Sequence, residues 1–253
     1  MNTVVLVHGN PETSAIWTPL VSALAAQGVA DVIRLSPPGF GAACPDGWSA
    51  SQSEYCSWLV SEVESIGRPV HIVGHDWGAG HVYGAISVRP DLFVSWAADC
   101  GGLVHADYQW HDAAQGWQTA DVGEEMVAGL VSLPIDDKKA AFAALGMTES
   151  IAADVAPWVD DTMGRCILAL YRSAAQPAMR ELGDRLAGRK PGRGAVIVPT
   201  ADPYPGTPAM AREVAARLGA TTIELAERGH WWMIEAPESA AAALVEFWKE
   251  IES

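Results

Sequence analysis

The amino-acid sequence predicts an α/β protein built on a mostly parallel β-sheet. Short, continuous apolar runs rich in β-branched residues alternate along the chain with stretches of helical periodicity, which is typical of strands buried on both faces by helices. A length of 253 residues, 49% of them hydrophobic, suits one such domain with a substantial core. A glycine-flanked turn at residues 74–78 follows one of these runs, and polar residues follow several others, so the expected chemistry lies at the carboxyl ends of the strands.

The first elements are a strand and a helix. Residues 3–8, Thr-Val-Val-Leu-Val-His, are continuous, short and β-branched, so they are expected to form a buried parallel strand. Residues 13–27 follow with Ile16, Leu20 and Leu24 at helical spacing. The chain therefore begins as a strand–loop–helix unit.

The pattern then repeats. A second strand is expected at about 30–35, and the sequence Ser-Pro-Pro-Gly-Phe-Gly at 36–41 has a composition typical of turns. Residues 52–66 show an amphipathic helical pattern, and the valine-rich run 69–73 forms the strand that enters the glycine-flanked turn. A fourth strand is expected at 93–98.

The alternation stops after the fourth strand. Residues 103–190 contain helical segments and no convincing strand, so we expect a helical cap inserted over the end of the sheet, closed by a basic Gly/Pro-containing linker at 188–194. The core then comprises residues 1–102 and 191–253. Its later elements are expected as a strand at 195–199, a helix at 207–218, a strand at 221–225 and a helix at 237–251.

Composition excludes several classes of function. The formal net charge of −15 argues against nucleic-acid or anionic-membrane partners. The four cysteines form no CxxC pair and no metal-ligand pattern with histidine, which predicts free thiols in a reducing cytoplasm and no metal. We see no signal peptide, no apolar run long enough to span a membrane and no Gly-rich phosphate loop, so we expect a cytoplasmic, cofactor-free protein. The oligomeric state does not follow from the sequence.

The turn at residues 74–78 reads Gly-His-Asp-Trp-Gly, the pattern of a nucleophile elbow with aspartate at its centre. Glycines two residues before and after Asp76 relieve the steric clash of a sharp strand-to-helix turn. A serine there would indicate ordinary acyl transfer, so the aspartate disfavours a serine esterase. An aspartate can instead displace a leaving group at a saturated carbon and form an ester with the enzyme.

Two further residues complete a candidate triad. His230 follows the last strand, and a histidine suits deprotonation of water because its unperturbed pKa is about 6.5. Asp202 follows the strand at 195–199 and gives the chain order nucleophile, acid, histidine. Asp99, at the end of the strand 93–98, is a rival for the position of the acid.

These motifs resemble the epoxide hydrolase and haloalkane dehalogenase branch of the α/β-hydrolases. The resemblance rests on His8-Gly9-Asn10-Pro11, the elbow extended to Ala79, the helical cap and Gly229-His230, and it covers nearly the whole chain. Such enzymes usually have two strands and a hairpin before the His-Gly strand, so we expect a sheet truncated at the N-terminus. The resemblance implies that Asp76 forms an alkyl ester, that His230 activates water to hydrolyse it, and that the backbone N–H groups of Asn10 and Trp77 hold the oxyanion.

The leaving group separates the two activities of this branch. The resemblance implies that an epoxide needs a proton donor from the cap. Tyr171 resembles one such tyrosine, and His111 and Tyr108 are candidates for another, although each of the three also has a structural interpretation as a packed side chain. A haloalkane would instead place its halide between the Asn10 amide and the Trp77 indole. Trp110 and Trp117 are candidate pocket residues.

We therefore expect hydrolysis of a small apolar epoxide by water, without a cofactor. Dehalogenation of a haloalkane by the same triad is the first alternative. A ligand-binding module of the same fold that has lost the chemistry is an alternative of another class.

Overall fold

The computed structural model describes residues 2–189 and 191–252. Its strands form one parallel sheet in the order β2-β1-β3-β4-β5-β6. The strands are β1 (Val4–Val7), β2 (Val32–Leu35), β3 (Val70–Gly74), β4 (Phe93–Ala98), β5 (Gly194–Pro199) and β6 (Thr221–Leu225). The predicted α/β architecture with a mostly parallel sheet is thus confirmed.

Helices cover both faces of this sheet. In chain order they are α1 (Thr18–Ala26), α2 (Gln52–Ile66), α3 (Trp77–Val88), α4 (Asp112–Gln118), α5 (Val122–Ser132), α6 (Ile135–Ala144), α7 (Glu149–Val155), α8 (Asp161–Ser173), α9 (Ala178–Arg189), α10 (Pro208–Leu218), α11 (Trp232–Glu235) and α12 (Pro237–Glu252). Short 3₁₀ turns lie at Ser14–Trp17, Pro90–Leu92, Gly101–Val104 and Ala156–Trp158. None of these helices is both long and apolar enough to cross a membrane in the part of the chain that the structure describes.

The core lies between the sheet and its two helical layers. Helices α1 and α12 pack together on one face, whereas α2, α3 and α9 pack in succession on the other. The central strands β1 and β3 are buried along their whole length, which explains why their sequences are continuously apolar. The outer strands β2 and β6 are more exposed.

Helices α4 to α9 occupy the interval between β4 and β5. Of these, α9 returns to the core and packs against α3, while α4, α5 and α8 contact one another, as do α6 and α7. We call α4 to α8 the cap helices. The division of the chain at residues 103 and 190 stays a prediction.

The order of the strands positions the site. The sheet grows in opposite directions from β1, toward β2 on one side and toward β3 on the other, and ligands of open α/β sheets bind at such a switch point. In the register between β1 and β3, Val7 pairs with Gly74. The loop after β1 and the turn after β3 therefore begin side by side.

Local sequence signals account for most element boundaries. The Ser51 side chain caps α2 by accepting a hydrogen bond from the Glu54 N–H, and Gly67 ends it with φ 75°. The helix expected at 13–27 instead opens as the 3₁₀ turn Ser14–Trp17, and α1 begins at Thr18 with Pro19 in its first turn.

Candidate active site

Asp76 occupies a strained turn between β3 and α3, with φ 51° and ψ −123°. Positive φ is uncommon for a residue other than glycine and marks strain that the surrounding structure must maintain. The flanking glycines are needed for space: a Cβ on Gly78 would lie 2.1 Å from the Val7 carbonyl oxygen, and one on Gly74 would lie 2.7 Å from the Gly78 carbonyl oxygen. The turn projects Asp76 beyond the sheet.

The Asp76 carboxylate is held by the loop that follows β1. The backbone N–H of Asn10 donates to Asp76 Oδ1 at 2.7 Å, and a Cβ on Gly9 would lie 2.0 Å from the same oxygen. Burial raises the pKa of Asp76 to about 6, although His230 and the Asn10 N–H favour the ionised form. This carboxylate is therefore poised to change charge close to neutral pH.

His230 faces Asp76 and is oriented by Asp202. Its Nδ1 lies 2.8 Å from Asp202 Oδ2, and its Nε2 lies 3.9 Å from Asp76 Oδ2. The backbone N–H of Tyr204 donates to the other oxygen of Asp202 at 3.0 Å and fixes the acid in its turn. With Nδ1 engaged by the carboxylate, Nε2 is the nitrogen that faces the nucleophile position.

Opposing influences set the pKa of His230. Burial and the neighbouring His75 lower it, whereas Asp202 and Asp76 raise it, and the net result lies above the usual value of 6.5. Asp202 thus stabilises the imidazolium that forms when His230 takes a proton.

Asp99, the rival acid, has different partners. Its Oδ2 lies 2.5 Å from His75 Nδ1 and accepts a hydrogen bond from the Trp232 indole at 2.7 Å. Its Oδ1 accepts the Asp76 backbone N–H at 2.9 Å. Of the two acids, Asp202 rather than Asp99 is hydrogen bonded to His230, and Asp99 supports the elbow from behind.

A fully buried chain of three charged side chains runs behind the triad: Glu12, His75 and Asp99. His75 lies between the two carboxylates, with Nε2 at 3.1 Å from Glu12 Oε1. Glu12 also accepts the Trp231 indole N–H at 2.6 Å and the Gly9 backbone N–H at 3.0 Å. Sequence reasoning missed Glu12, whose only signal is its place directly after the His-Gly-Asn-Pro loop.

This chain of charges keeps His75 cationic. Burial alone would lower the pKa of His75, but Asp99 and Glu12 together raise it well above its usual value. Burial would likewise raise the pKa of Glu12, but His75 brings it down to about 2. The pKa of Asp99 is lowered against burial by the same histidine. The core beneath the elbow therefore carries a fixed positive charge between two negative ones.

A cavity of about 260 Å³ opens between these residues and the cap. Asp76 and His230 line it together with mainly apolar side chains. The other lining residues are Asn10, Pro11, His111, Ala113, Trp117, Leu130, Lys138, Ala141, Phe142, Leu145, Tyr171, Tyr204 and Trp231. A small, largely apolar molecule fits such a site.

Tyr171, from cap helix α8, reaches this cavity close to the elbow. Its ring meets the Trp77 ring edge-on, with centroids 5.2 Å apart. Burial raises the pKa of its hydroxyl well above 10, and the Asn10 and Trp77 side chains oppose that rise only partly. The Asn10 amide itself is buried and has no hydrogen-bond partner among the described residues.

The other cap candidates occupy different places. His111 lines the cavity, and its Nδ1 accepts the Ala114 N–H as the N-cap of α4. Trp117 also lines the cavity, with its ring centroid 4.7 Å from that of Tyr171. Tyr108 and Trp110 line a narrow recess beside the cavity. There the Tyr108 hydroxyl donates to the Tyr204 carbonyl oxygen at 3.0 Å, and Trp110 stacks on Trp77.

Two groups of side chains in the described part of the chain are close enough to hold a metal ion: Glu12, His75 and His230, and Cys100, Asp202 and His230. Both groups draw on His230. Both nitrogens of His75 and Nδ1 of His230 already lie at hydrogen-bond distance from carboxylates. The two histidines of these groups are therefore already paired with carboxylates.

Comparison with known proteins assigns the family. Residues 4–244 match the model of the alpha/beta hydrolase family. The chain belongs to this family. It is therefore an α/β-hydrolase, as the elbow and the other sequence motifs predict.

One protein of similar sequence and two solved structures of the same fold illustrate what the chain is similar to. A protein described as an epoxide hydrolase from Caballeronia sordidicola is 29% identical over 103 residues, which is 36% of this chain and 28% of that protein's length. The haloalkane dehalogenase DbeA from Bradyrhizobium elkani has the same fold, with a TM-score of 0.76, 22% identity and coverage of 99% of this chain and 91% of that one. Cfl2 from Burkholderia cenocepacia superposes with a TM-score of 0.77 and 18% identity over 97% of this chain and 87% of that one.

Proposed function

We propose that this α/β-hydrolase converts a small apolar epoxide to a diol through a covalent ester of Asp76. The proposal rests on the side chains that line one cavity. Asp76, His230 and the Tyr171 side chain line it together, beneath the apolar cap. These supply a nucleophile, a base and an acid to a substrate that the cap shields from bulk water.

In the first step, an Asp76 carboxylate oxygen attacks an epoxide carbon. A carbon–oxygen bond to the enzyme forms, the ring carbon–oxygen bond breaks, and the departing oxygen takes a proton from Tyr171. Because burial holds the pKa of Tyr171 well above 10, its hydroxyl is protonated at neutral pH and able to donate. The product of this step is a hydroxyalkyl ester and a tyrosinate.

In the second step, His230 takes a proton from water, and the hydroxide attacks the carbonyl carbon of the ester. The Asn10 N–H, which already donates to Asp76 Oδ1, stabilises the oxyanion that develops there. Asp202 stabilises the imidazolium. Collapse of the intermediate releases the diol and restores the Asp76 carboxylate, and the proton that His230 took from water passes to the Tyr171 tyrosinate, so that the net reaction converts epoxide and water to a diol.

One observation favours dehalogenation as a second candidate. The Asn10 amide is buried, lines the cavity and lacks a hydrogen-bond partner among the residues described. An unpaired buried N–H donor is costly unless a ligand satisfies it. A departing halide would accept from this amide, with the Trp77 indole beside it.

A silent binding module is the candidate of another class. The close approach of the three triad members speaks against it, because a protein that had lost the chemistry would have no need to hold Asp76 at positive φ opposite His230. Binding of small apolar ligands with no turnover of any would support it.

A paired turnover assay on the purified protein tests the proposal. One arm offers styrene oxide and a small aliphatic epoxide and measures diol, and the other offers 1-bromobutane and 1,2-dibromoethane and measures bromide. Diol without bromide supports epoxide hydrolysis, and bromide without diol assigns the dehalogenase chemistry. The Asp76→Ala variant is the blank for both arms, because it removes the nucleophile without adding bulk.

A further inference from the structure

Two cysteines approach each other at the junction of cap and core. Cys44 lies in the loop after β2, and Cys166 lies in cap helix α8, 122 residues further along the chain. Their sulfur atoms are 3.7 Å apart. A disulfide requires about 2.05 Å, so the two thiols need to move together by less than 2 Å.

The surroundings of the pair differ for its two members. Cys44 is half-buried and lines an open surface groove of about 620 Å³, together with Trp158 and Arg165 from the cap. Cys166 is buried beneath it. The backbone of Gly39 closes over both sulfurs, since a Cβ there would lie 2.4 Å from the sulfur of Cys166 and 3.3 Å from that of Cys44.

We propose that Cys44 and Cys166 form an oxidisable dithiol, which a small aliphatic disulfide converts to an internal disulfide that fastens cap helix α8 to the core. Cys44 reacts first because it faces the groove. Its sulfur attacks the small disulfide, forms a mixed disulfide and releases one thiol. The Cys166 sulfur then attacks the Cys44 sulfur and releases the second thiol. Two electrons and two protons pass from the protein to the two thiols released.

The link would act on the candidate site through α8. Tyr171 lies on this helix, little more than one turn after Cys166. The other two cysteines have no such partner: Cys56 and Cys100 make no sulfur–sulfur contact in the residues that the structure describes.

The test treats the native protein with bis(2-hydroxyethyl) disulfide and follows intact mass, the non-reduced peptide map and the thermal midpoint Tm. The wild type is expected to lose the mass of two hydrogen atoms, to yield one peptide that links Cys44 to Cys166, and to gain a higher Tm that a reductant reverses. Cys56→Ser and Cys100→Ser, the matched controls, are expected to behave in the same way.

Cys166→Ser is expected to keep a stable hydroxyethylthio adduct on Cys44, since no second thiol can displace it, and Cys44→Ser is expected to gain neither link nor adduct. A stable adduct on Cys44 of the wild type, a link through Cys56 or Cys100, or no reaction of the native protein would each overturn the proposal. These outcomes are read without any substrate, so they are independent of the proposed function.

Discussion

The imidazole rings of His75 and His230 lie with their centroids 4.6 Å apart, one behind the other at the end of the sheet. His75 is held as a cation by two carboxylates, and it lowers the pKa of His230, which Asp202 and Asp76 raise. The proposed base is thus balanced between a buried positive charge on one side and two carboxylates on the other.

The two aspartates near the histidines are expected to have separable roles. Asp202→Asn should reduce turnover by about 10³- to 10⁴-fold, because the amide no longer stabilises the His230 imidazolium, and should change stability little. Asp99→Asn should lower the free energy of unfolding by about 2 to 4 kcal/mol, because it removes a charged partner of buried His75. Steady-state kinetics and urea unfolding of both variants measure this. Loss of turnover at unchanged stability in Asp99→Asn alone would reverse the assignment.

Turnover is expected to fall on the acid side of neutrality. Asp76 has to be ionised to attack, and its pKa is about 6. His230 has to be neutral to act as a base, and its pKa lies above 6.5. Asp76 acts in the first step and His230 in the second, so kcat/KM should drop by about tenfold per pH unit below pH 6, whereas kcat should fall below the pKa of His230 when ester hydrolysis limits turnover. Because the pKa of Tyr171 is well above 10, no alkaline decline from that residue is expected below pH 10. A kcat/KM profile that is flat from pH 5 to 8 would contradict the assignment of Asp76, and a flat kcat profile would contradict that of His230.

Glu12→Gln tests the buried ion pair directly. The pKa of His75 in the folded protein is raised above its ordinary value of 6.5. The stability that the charge of His75 contributes to the fold is therefore complete below pH 6.5 and is lost as the pH rises through the pKa of His75 in the folded protein. The pKa of Glu12 is lowered from 4.5 to about 2 in the folded protein. The stability that the charge of Glu12 contributes to the fold is therefore present above pH 4.5 and is lost as the pH falls toward 2. The variant should therefore lose most stability, about 2 to 4 kcal/mol, between pH 4.5 and 6.5.

Urea unfolding of the wild type and of Glu12→Gln at pH 3, 6 and 9 measures that difference. It is expected to be largest at pH 6. Glu125→Gln, on the exposed surface of α5, is the matched control and should change stability by less than about 0.5 kcal/mol. A loss that is equal at all three pH values would mean that Glu12 acts through packing and not through charge.

Tyr171→Phe distinguishes the two leaving groups. It should lower epoxide turnover by about 10²-fold, since the alkoxide loses its proton donor, and should leave release of bromide from a bromoalkane within a few-fold of the wild type. Tyr108→Phe is the matched control, because the Tyr108 hydroxyl is already engaged by the Tyr204 carbonyl oxygen. If both variants retain full epoxide turnover, Tyr171 is a packing residue.

Much of the fold could be predicted because its signals are local. Helix α2 begins after a capping serine and ends at a glycine, and the four-residue strand β1 is entirely apolar. The elbow is equally local, since the glycines around Asp76 are required by sterics within one turn.

Long-range contacts could not be predicted in the same way. Glu12 meets His75 and Trp231, which are 63 and 219 residues away, and nothing in the spacing of the sequence brings them together. The choice between Asp202 and Asp99 likewise depends on which carboxylate turns toward His230. Each of the two follows a strand at the same edge of the sheet, so their positions in the sequence do not decide between them. The sequence could not decide whether Tyr108 is a proton donor from the cap. Its hydroxyl donates to the Tyr204 backbone carbonyl oxygen, and no pattern of side chains in the sequence reveals such a contact.

Esterification of Asp76 can be detected by intact-mass spectrometry of the His230→Gln variant. This variant retains the nucleophile and lacks the base for the second step, so a substrate that the wild type turns over should accumulate as an adduct. For an epoxide, we expect a mass increase equal to one substrate molecule, located on the peptide that contains Asp76 and absent from the Asp76→Ala/His230→Gln double variant. No adduct with such a substrate, or an adduct on another residue, would contradict it.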